Sequence, residues 1–292
     1  MDPQAIHIPV LLDEVEYFLN IRPDGIYVDA TIGLGGHSKI ILEKLSSNGL
    51  IIGLDFDKYA VEIAIKNLEK YKGKIKIYND NFINLEKILE ENNIKNVDGI
   101  IADLGISSLQ IIDSNRGFSY NNDVILDMRM NTEYSLTARD ILNNFSFNDL
   151  KKIFREYAEI RNPGSLVSKI IEERQKKSIN TSFEFIKIIK KFSHSFSVIR
   201  KCFQALRIYI NNELDNLEKF IDISVKLLKP GARLLIISFH SLEDRIVKHK
   251  FMEFQKNTVL KIITKKPIIP DENEIRNNPK SKSAKLRVAE KI

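Results

Sequence analysis

Ile26-Tyr27-Val28-Asp29-Ala30-Thr31-Ile32-Gly33-Leu34-Gly35-Gly36-His37-Ser38 is the stretch that decides the architecture of this 292-residue chain. Its first five residues read as a short buried strand, the glycines as a tight turn, and the run from His37 to Leu45 as the helix that the turn opens. Such a turn brings free backbone N–H groups to the carboxyl end of a strand, and missing side chains let a ligand approach them. A nucleotide-like ligand is therefore expected there, although a bare strand-to-helix connection would read the same on these residues alone. A dinucleotide-binding turn would carry a third glycine at position 38, where this chain has Ser38; that counts against an NAD-linked dehydrogenase.

Downstream, strand and helix signals keep alternating. Leu50 to Asp55 is a second strand ending in a carboxylate, followed by a helix from about Lys58 to Tyr71. Lys74 to Asn79 and Val97 to Asp103 are a third and a fourth strand, with a helical segment from Leu85 to Glu91 between them. Alternation of this kind predicts a parallel sheet covered by helices. From Ser114 to Asp215 the pattern changes to loop followed by helices, with apolar residues spaced about 3.6 apart in 149–154 and 166–171. The amphipathic run Leu217 to Leu228 then ends at Lys229-Pro230-Gly231, and Arg233 to Ser238 is a strong strand. Val259 to Thr264 and Lys285 to Ala289 would complete seven strands. The predicted fold is α/β, with a mostly parallel seven-stranded sheet formed by residues 1–113 and 216–292 and a helical domain inserted at 114–215.

A hydrophobic content of 43% is enough for a sizeable core. The net charge of +6 is spread unevenly: −7 over residues 1–113, +5 over 114–215, zero over 216–244 and +8 over 245–292. A polyanion would gain most from the middle and the C-terminal part, where Lys and Arg can displace counterions; a solvated lysine coat is the alternative on charge alone. The single cysteine, Cys202, excludes an internal disulfide and a cysteine-based zinc site, and its apolar neighbours suit a core position. No segment looks like a signal peptide or approaches the roughly 20 apolar residues of a membrane helix, so a cytoplasmic protein is expected.

The candidate chemistry gathers at strand ends. Asp55 stands about 20 residues after the glycines, where a carboxylate can accept both ribose hydroxyls of an adenosine. Asp57 is read as a cap for the following helix. Asn79-Asp80-Asn81-Phe82 ends the third strand, with polar groups for an adenine edge and a ring for its face, though Phe82 reads equally as core. Asp103-Leu104-Gly105 ends the fourth, and there a carboxylate could orient an exocyclic amine, cap a helix or hold a cofactor's amino group. His240, after the fifth strand, is a candidate substrate contact or proton acceptor, or simply fixes its loop. Ser241 with Asp244 reads as a capping box. In the insertion, Gln204, Arg207 and Asn211 form one polar helical face, directed at the site, at RNA or at solvent.

These motifs together resemble the bacterial 16S rRNA cytosine-N4 methyltransferase family over almost the whole chain. The resemblance rests on His7-Ile8-Pro9-Val10-Leu11-Leu12, Gly35-Gly36-His37-Ser38, Asp103-Leu104-Gly105 with Ser107-Ser108, and Arg116-Gly117-Phe118-Ser119. It rests also on Asp127-Met128-Arg129-Met130, Phe203 to Ile208, Phe239 to Arg245, and Ser283-Ala284-Lys285-Leu286-Arg287. It implies a Rossmann-like class I methyltransferase that binds S-adenosylmethionine through Gly35, Gly36, His37, Asp55, Phe82, Asp103 and Gln110. Asp103 would be the catalytic residue, with His240 a further candidate, and no metal or covalent enzyme intermediate would be needed. The substrate side would include Arg116, Arg129, Gln204, Arg207, Asn211, Lys280, Lys282 and Lys285. The partner would be 16S rRNA in the decoding region of the small ribosomal subunit, with a homodimer as a further option and no membrane.

The chain departs from the family pattern at Leu109, where Pro is usual, at Ala158-Glu159-Ile160, where Gly-Glu-Glu is usual, and at Ala232, where Gly is usual. Lys280 and Lys282 stand where Arg is usual, which keeps charge but loses bidentate phosphate geometry. An amino methyltransferase acting on DNA or protein shares the same carboxylate chemistry. A non-enzymatic RNA-binding module would keep the basic segments and have no use for Asp55 and Asp103.

Overall fold

The computed structural model describes residues 9–106 and 116–292. The chain divides into two compact units, one of residues 1–105 and 214–292 and the other of residues 106–213.

The first unit contains β1 (Ile26–Asp29), β2 (Leu50–Asp55), β3 (Ile75–Asn79), β4 (Val97–Asp103), β5 (Leu228–Ser238), β6 (Leu260–Ile262) and β7 (Lys285–Lys291). They form one sheet in the order β3-β2-β1-β4-β5-β7-β6. The pairings from β3 through β5 are parallel, and β7 is antiparallel to both β5 and β6, so it alone runs backwards. This order, with parallel crossovers about β1, is Rossmann-like.

The central strands are apolar at successive positions because both faces of the sheet are covered. Alternate residues enter separate cores: Val28, Ile52, Ile100, Leu234 and Ile236 pack with Phe220 and Phe251. Tyr27, Ile51, Ile101, Leu235 and Ile237 pack on the other side with Leu11, Leu19 and Ile41. The two-residue period of a strand is what separates the sets. Helices Gly36–Lys44, Lys58–Asn67 and Leu85–Glu91 make the crossovers that parallel strands require.

Two expectations shift. The helix after β2 stops at Asn67 and is followed by a 3-10 turn, Glu69–Tyr71. Lys229-Pro230-Gly231 does end the helix Glu213–Leu227, yet it lies inside β5, whose pairing with β4 slips between Val97 and Gly99. Pro230 lacks an N–H for the ladder, and the irregular register accommodates that.

The second unit has helices Ala138–Asn144, Phe147–Glu156, Gly164–Lys176, Ser182–Phe192 and Phe196–Asn211 among its described residues. Phe154, Leu166, Phe185, Cys202 and Leu206 belong to its core. Its helix starts follow local chemistry: Thr137 with Asp140 and Thr181 with Glu184 form capping boxes, and Ser146 caps Phe147–Glu156. Burial pushes the Cys202 thiol up to about 12, in keeping with a core side chain. Among the described residues no helix is long and apolar enough to cross a membrane.

Candidate functional site

In the first unit the strand order reverses about β1, which has β2 on one side and β4 on the other. Open α/β sheets hold ligands beyond the carboxyl ends of the strands at such a point. Three strands deliver a carboxylate there: Asp29 from β1, Asp55 from β2 and Asp103 from β4.

Asp29 is 1% exposed and accepts hydrogen bonds from the Ser38 hydroxyl at 2.7 Å and the Thr31 N–H at 3.3 Å. Ser38 thus serves this acid, which explains why glycine is not needed at that position. Asp55 accepts from the Gly33 N–H through one oxygen and from the Asp57 N–H through the other, both at 2.9 Å. Its carboxylate therefore braces the Gly-rich turn. Asp57 caps the helix Lys58–Asn67 by accepting from the Tyr59 N–H, as its position suggested. Gly35, at a φ of 86°, is in the left-handed region and precedes the helix Gly36–Lys44; a Cβ on Gly36 would collide with the ring of Pro9.

Burial pushes Asp29 and Asp55 each up to about 6, against the hydrogen bonds they accept, and the negative charges of Asp57 and Asp29 add to the effect on Asp55. Asp103 is held well above the usual carboxylate range, first by burial and then by the negative charges of Asp29 and Glu243. Its backbone N–H donates to Thr31 Oγ1 at 2.6 Å, and its buried Oδ1 has no hydrogen-bond partner among the described residues. His37 is buried; its Nε2 lies 2.9 Å from the Val10 carbonyl and its Nδ1 3.9 Å from Asp103 Oδ2. Burial lowers its pKa to about 4.

Among the described residues none of the three aspartates is paired with a lysine or arginine. A rim of raised, uncompensated acids is suited to a ligand that brings positive charge. A carboxylate oxygen has two acceptor positions, so Asp55 can serve the turn and still accept from ligand hydroxyls. These features fit S-adenosylmethionine, which carries a sulfonium and an ammonium.

The remaining candidates are placed as follows. Phe82 opens a 3-10 turn, Phe82–Asn84, and packs at 4.7 Å from the Phe220 ring while staying partly exposed. Gln110 lies outside the described residues. His240 caps the helix Ser241–Lys256: its Nδ1 accepts from the Glu243 N–H at 3.3 Å, and Glu243 accepts from the Phe239 and His240 N–H groups. The capping box is therefore His240 with Glu243, one residue earlier than Ser241 with Asp244. Asp244 instead binds Lys285 at 3.2 Å and Arg287 at 2.6 Å. Lys282 is exposed in a short turn, Pro279–Ser283, that also carries Lys280, whose pKa burial lowers.

In the helical unit, Arg116 donates to the carbonyls of Arg129 and Met130, and Arg129 forms a two-point pair with Asp127. Arg207 pairs with Glu213. Asn211 is buried, donates to the Met128 and Arg207 carbonyls and accepts from the Met130 N–H. Gln204 is half-buried on the same helix. The polar face read from spacing is thus largely spent inside its own unit, because the 120–130 loop folds back onto it.

Sequence reasoning passed over Asp29, Thr31 and Glu243. Asp29 had a usable signal, since it ends its strand as Asp55 and Asp103 end theirs. Thr31 acts on the Asp103 N–H, far along the chain, and no local pattern marks it. Glu243 sits three residues after His240 in a capping box, a local pattern, while its charge also reaches Asp103.

The sequence profile of the MraW methylase family matches residues 4–292. A ribosomal RNA small subunit methyltransferase H from Caldicellulosiruptor bescii is 47% identical, with 98% of this chain and 99% of that protein covered. The proteins of the same name from Halothermothrix orenii and Clostridioides difficile are 46% and 43% identical, with 98% of this chain covered in each case and 98% and 99% of their own lengths.

Proposed function

The chain belongs to the MraW methylase family, and from that premise we propose that it transfers a methyl group from S-adenosylmethionine to the N4 amine of a cytosine in 16S rRNA. The observation that carries the reading is the partly buried Asp103 carboxylate at the end of β4, with a buried Oδ1 that has no hydrogen-bond partner among the described residues and two acidic neighbours. When bound, S-adenosylmethionine supplies a methyl on a positively charged sulfur, which keeps the bonding pair as the amine nitrogen takes the carbon.

The chain's own residues prepare that displacement. Gly35 and Gly36 let the turn pack tightly against Leu68 and Pro9, Asp55 accepts sugar hydroxyls, and the partly exposed Phe82 offers a ring for the base. Asp103 accepts an N–H of the incoming amine, which aims the nitrogen lone pair, and then takes the proton that the methylated nitrogen sheds. Arg116, Arg129, Gln204, Arg207, Asn211, Lys280, Lys282 and Lys285 belong to the substrate side. Several of them act there by shaping the helical unit and not by direct contact, while the C-terminal lysines neutralise phosphates. Gln110 completes the donor site. The target is presented by the small ribosomal subunit in the cytoplasm.

The test is to incubate the protein with methyl-labelled S-adenosylmethionine and separate pools of 30S particles, stripped 16S rRNA, DNA and protein. Label in N4-methylcytidine of 16S rRNA, located by mass spectrometry of nuclease fragments, is the expected outcome. Label confined to DNA or protein would overturn the assignment.

A further inference from the structure

The helix that opens at the Gly-rich turn carries a buried ring for which the steps above find no use. His37 is 6% exposed, and its Nε2 faces the carbonyl oxygen of Val10 at 2.9 Å. A carbonyl can only accept, so Nε2 carries the proton and the neutral ring keeps its lone pair on Nδ1. Burial keeps the ring neutral at neutral pH. Nδ1 lies 3.9 Å from Asp103 Oδ2, on the carboxyl group whose other oxygen has no hydrogen-bond partner among the described residues.

We propose that His37 is a positioning residue for Asp103: pinned in one tautomer by Val10, it turns a lone pair toward the carboxylate and so strengthens Asp103 as acceptor of the substrate's proton. This rests on the reaction assigned above. Once the amine nitrogen has formed its bond to carbon it is cationic; an N–H bond breaks, its electron pair stays on nitrogen, and the proton joins Asp103, which becomes a neutral acid. A lone pair facing a carboxylate oxygen repels it, whereas the same lone pair facing an acid O–H attracts it. Both effects draw the proton to Asp103.

Among the described residues, the other groups facing Asp103 act in the same direction or not at all. Asp29 at the end of β1 and Glu243 on the helix Ser241–Lys256 contribute negative charge, and Thr31 Oγ1 engages only the backbone N–H. A protonated side chain at position 37 would do the opposite. The Val10 strap is thereby part of the device, since it decides which nitrogen of the ring bears hydrogen.

His37→Gln keeps an N–H for Val10 and removes the ring nitrogen that faces Asp103. Single-turnover methylation of 30S particles, at saturating S-adenosylmethionine across pH 5 to 9, reads the consequence. The acid limb is expected to move down by about one pH unit, a tenfold change in proton affinity, with a lower plateau. A uniform loss at every pH, or an unchanged profile, would mean that His37 only supports the turn and would overturn the proposal. Nitrogen-15 NMR of histidine-labelled wild-type protein supplies a readout that needs no variant at position 37: Nδ1 must be unprotonated, and a protonated Nδ1 refutes the scheme. Calorimetry separates the two levels, because wild-type protein that fails to bind S-adenosylmethionine would bring down the assigned reaction itself and this proposal with it.

Discussion

In the helical unit Asp127 lies 2.7 Å from Arg129 and, although burial works to raise it, the arginine's hydrogen bonds and charge hold it below the usual carboxylate range. In the sheet unit Asp103 has no such partner among the described residues, and burial together with two acidic neighbours holds it well above that range. Arg207 with Glu213, Asn211 with the 128–130 backbone, and the two capping boxes repeat the first pattern. Asp29 and Asp55 are likewise raised by burial and have no lysine or arginine partner among the described residues, although each accepts hydrogen bonds from the chain. Buried polar groups that are satisfied within the chain build architecture, whereas buried acids that the chain leaves uncompensated hold energy in reserve for a ligand.

The sharpest way to break this contrast is to truncate one group from each class. Asp103→Ala should lower the single-turnover methylation rate by about 10²–10⁴-fold, the usual worth of a positioned proton acceptor, while leaving the denaturation midpoint unchanged or higher. A near-normal rate would show that the uncompensated acid is not part of the reaction.

Asp29 tests whether the reserve is real in the unliganded protein. Its folded pKa of about 6 lies above the ordinary 3.8, so the folded state holds its proton more tightly than the unfolded chain does. The stability it contributes is therefore full below about pH 4 and is lost as pH rises through about 6, amounting to about 3 kcal/mol. Asp29→Asn should remove that slope, so that its stability relative to wild type improves between pH 4 and pH 7 in urea denaturation. Parallel pH profiles for the two proteins would contradict the assignment.

Asn211→Ala probes the satisfied class and should do the reverse of Asp103→Ala. Leaving the Met130 N–H and the Met128 carbonyl without partners should destabilise the chain by about 1–3 kcal/mol per group, with S-adenosylmethionine affinity of the folded protein intact by calorimetry. A variant as stable as wild type would mean that Asn211 is a surface residue and not a strut.

Much of the candidate site is legible in the sequence. Asp55 and Asp103 stand out because each ends an apolar run and the Gly-rich turn lies upstream, and Asp57 is a recognisable cap. The 204–211 face was harder. Its spacing places polar groups together, but whether such a face meets solvent, ligand or backbone depends on the loop at 120–130, which is some 80 residues away in sequence. The shift of the capping box to His240 and Glu243 has a local cause. A histidine caps a helix only when its ring is turned back onto the first turn, and here Glu243 completes the arrangement by accepting from the two preceding N–H groups.

The sequence by itself determined the alternating sheet, its helical interruption and the acids at the strand ends, because two-residue and 3.6-residue periodicities and turn chemistry act over a few neighbouring residues. Only the tertiary structure decided which acids go uncompensated, that Ser38 serves Asp29, and that Val10 sets the tautomer of the ring beside Asp103. Burial and hydrogen-bond pairing join atoms from distant parts of the chain, and the free energy of a charge depends on what surrounds it in space.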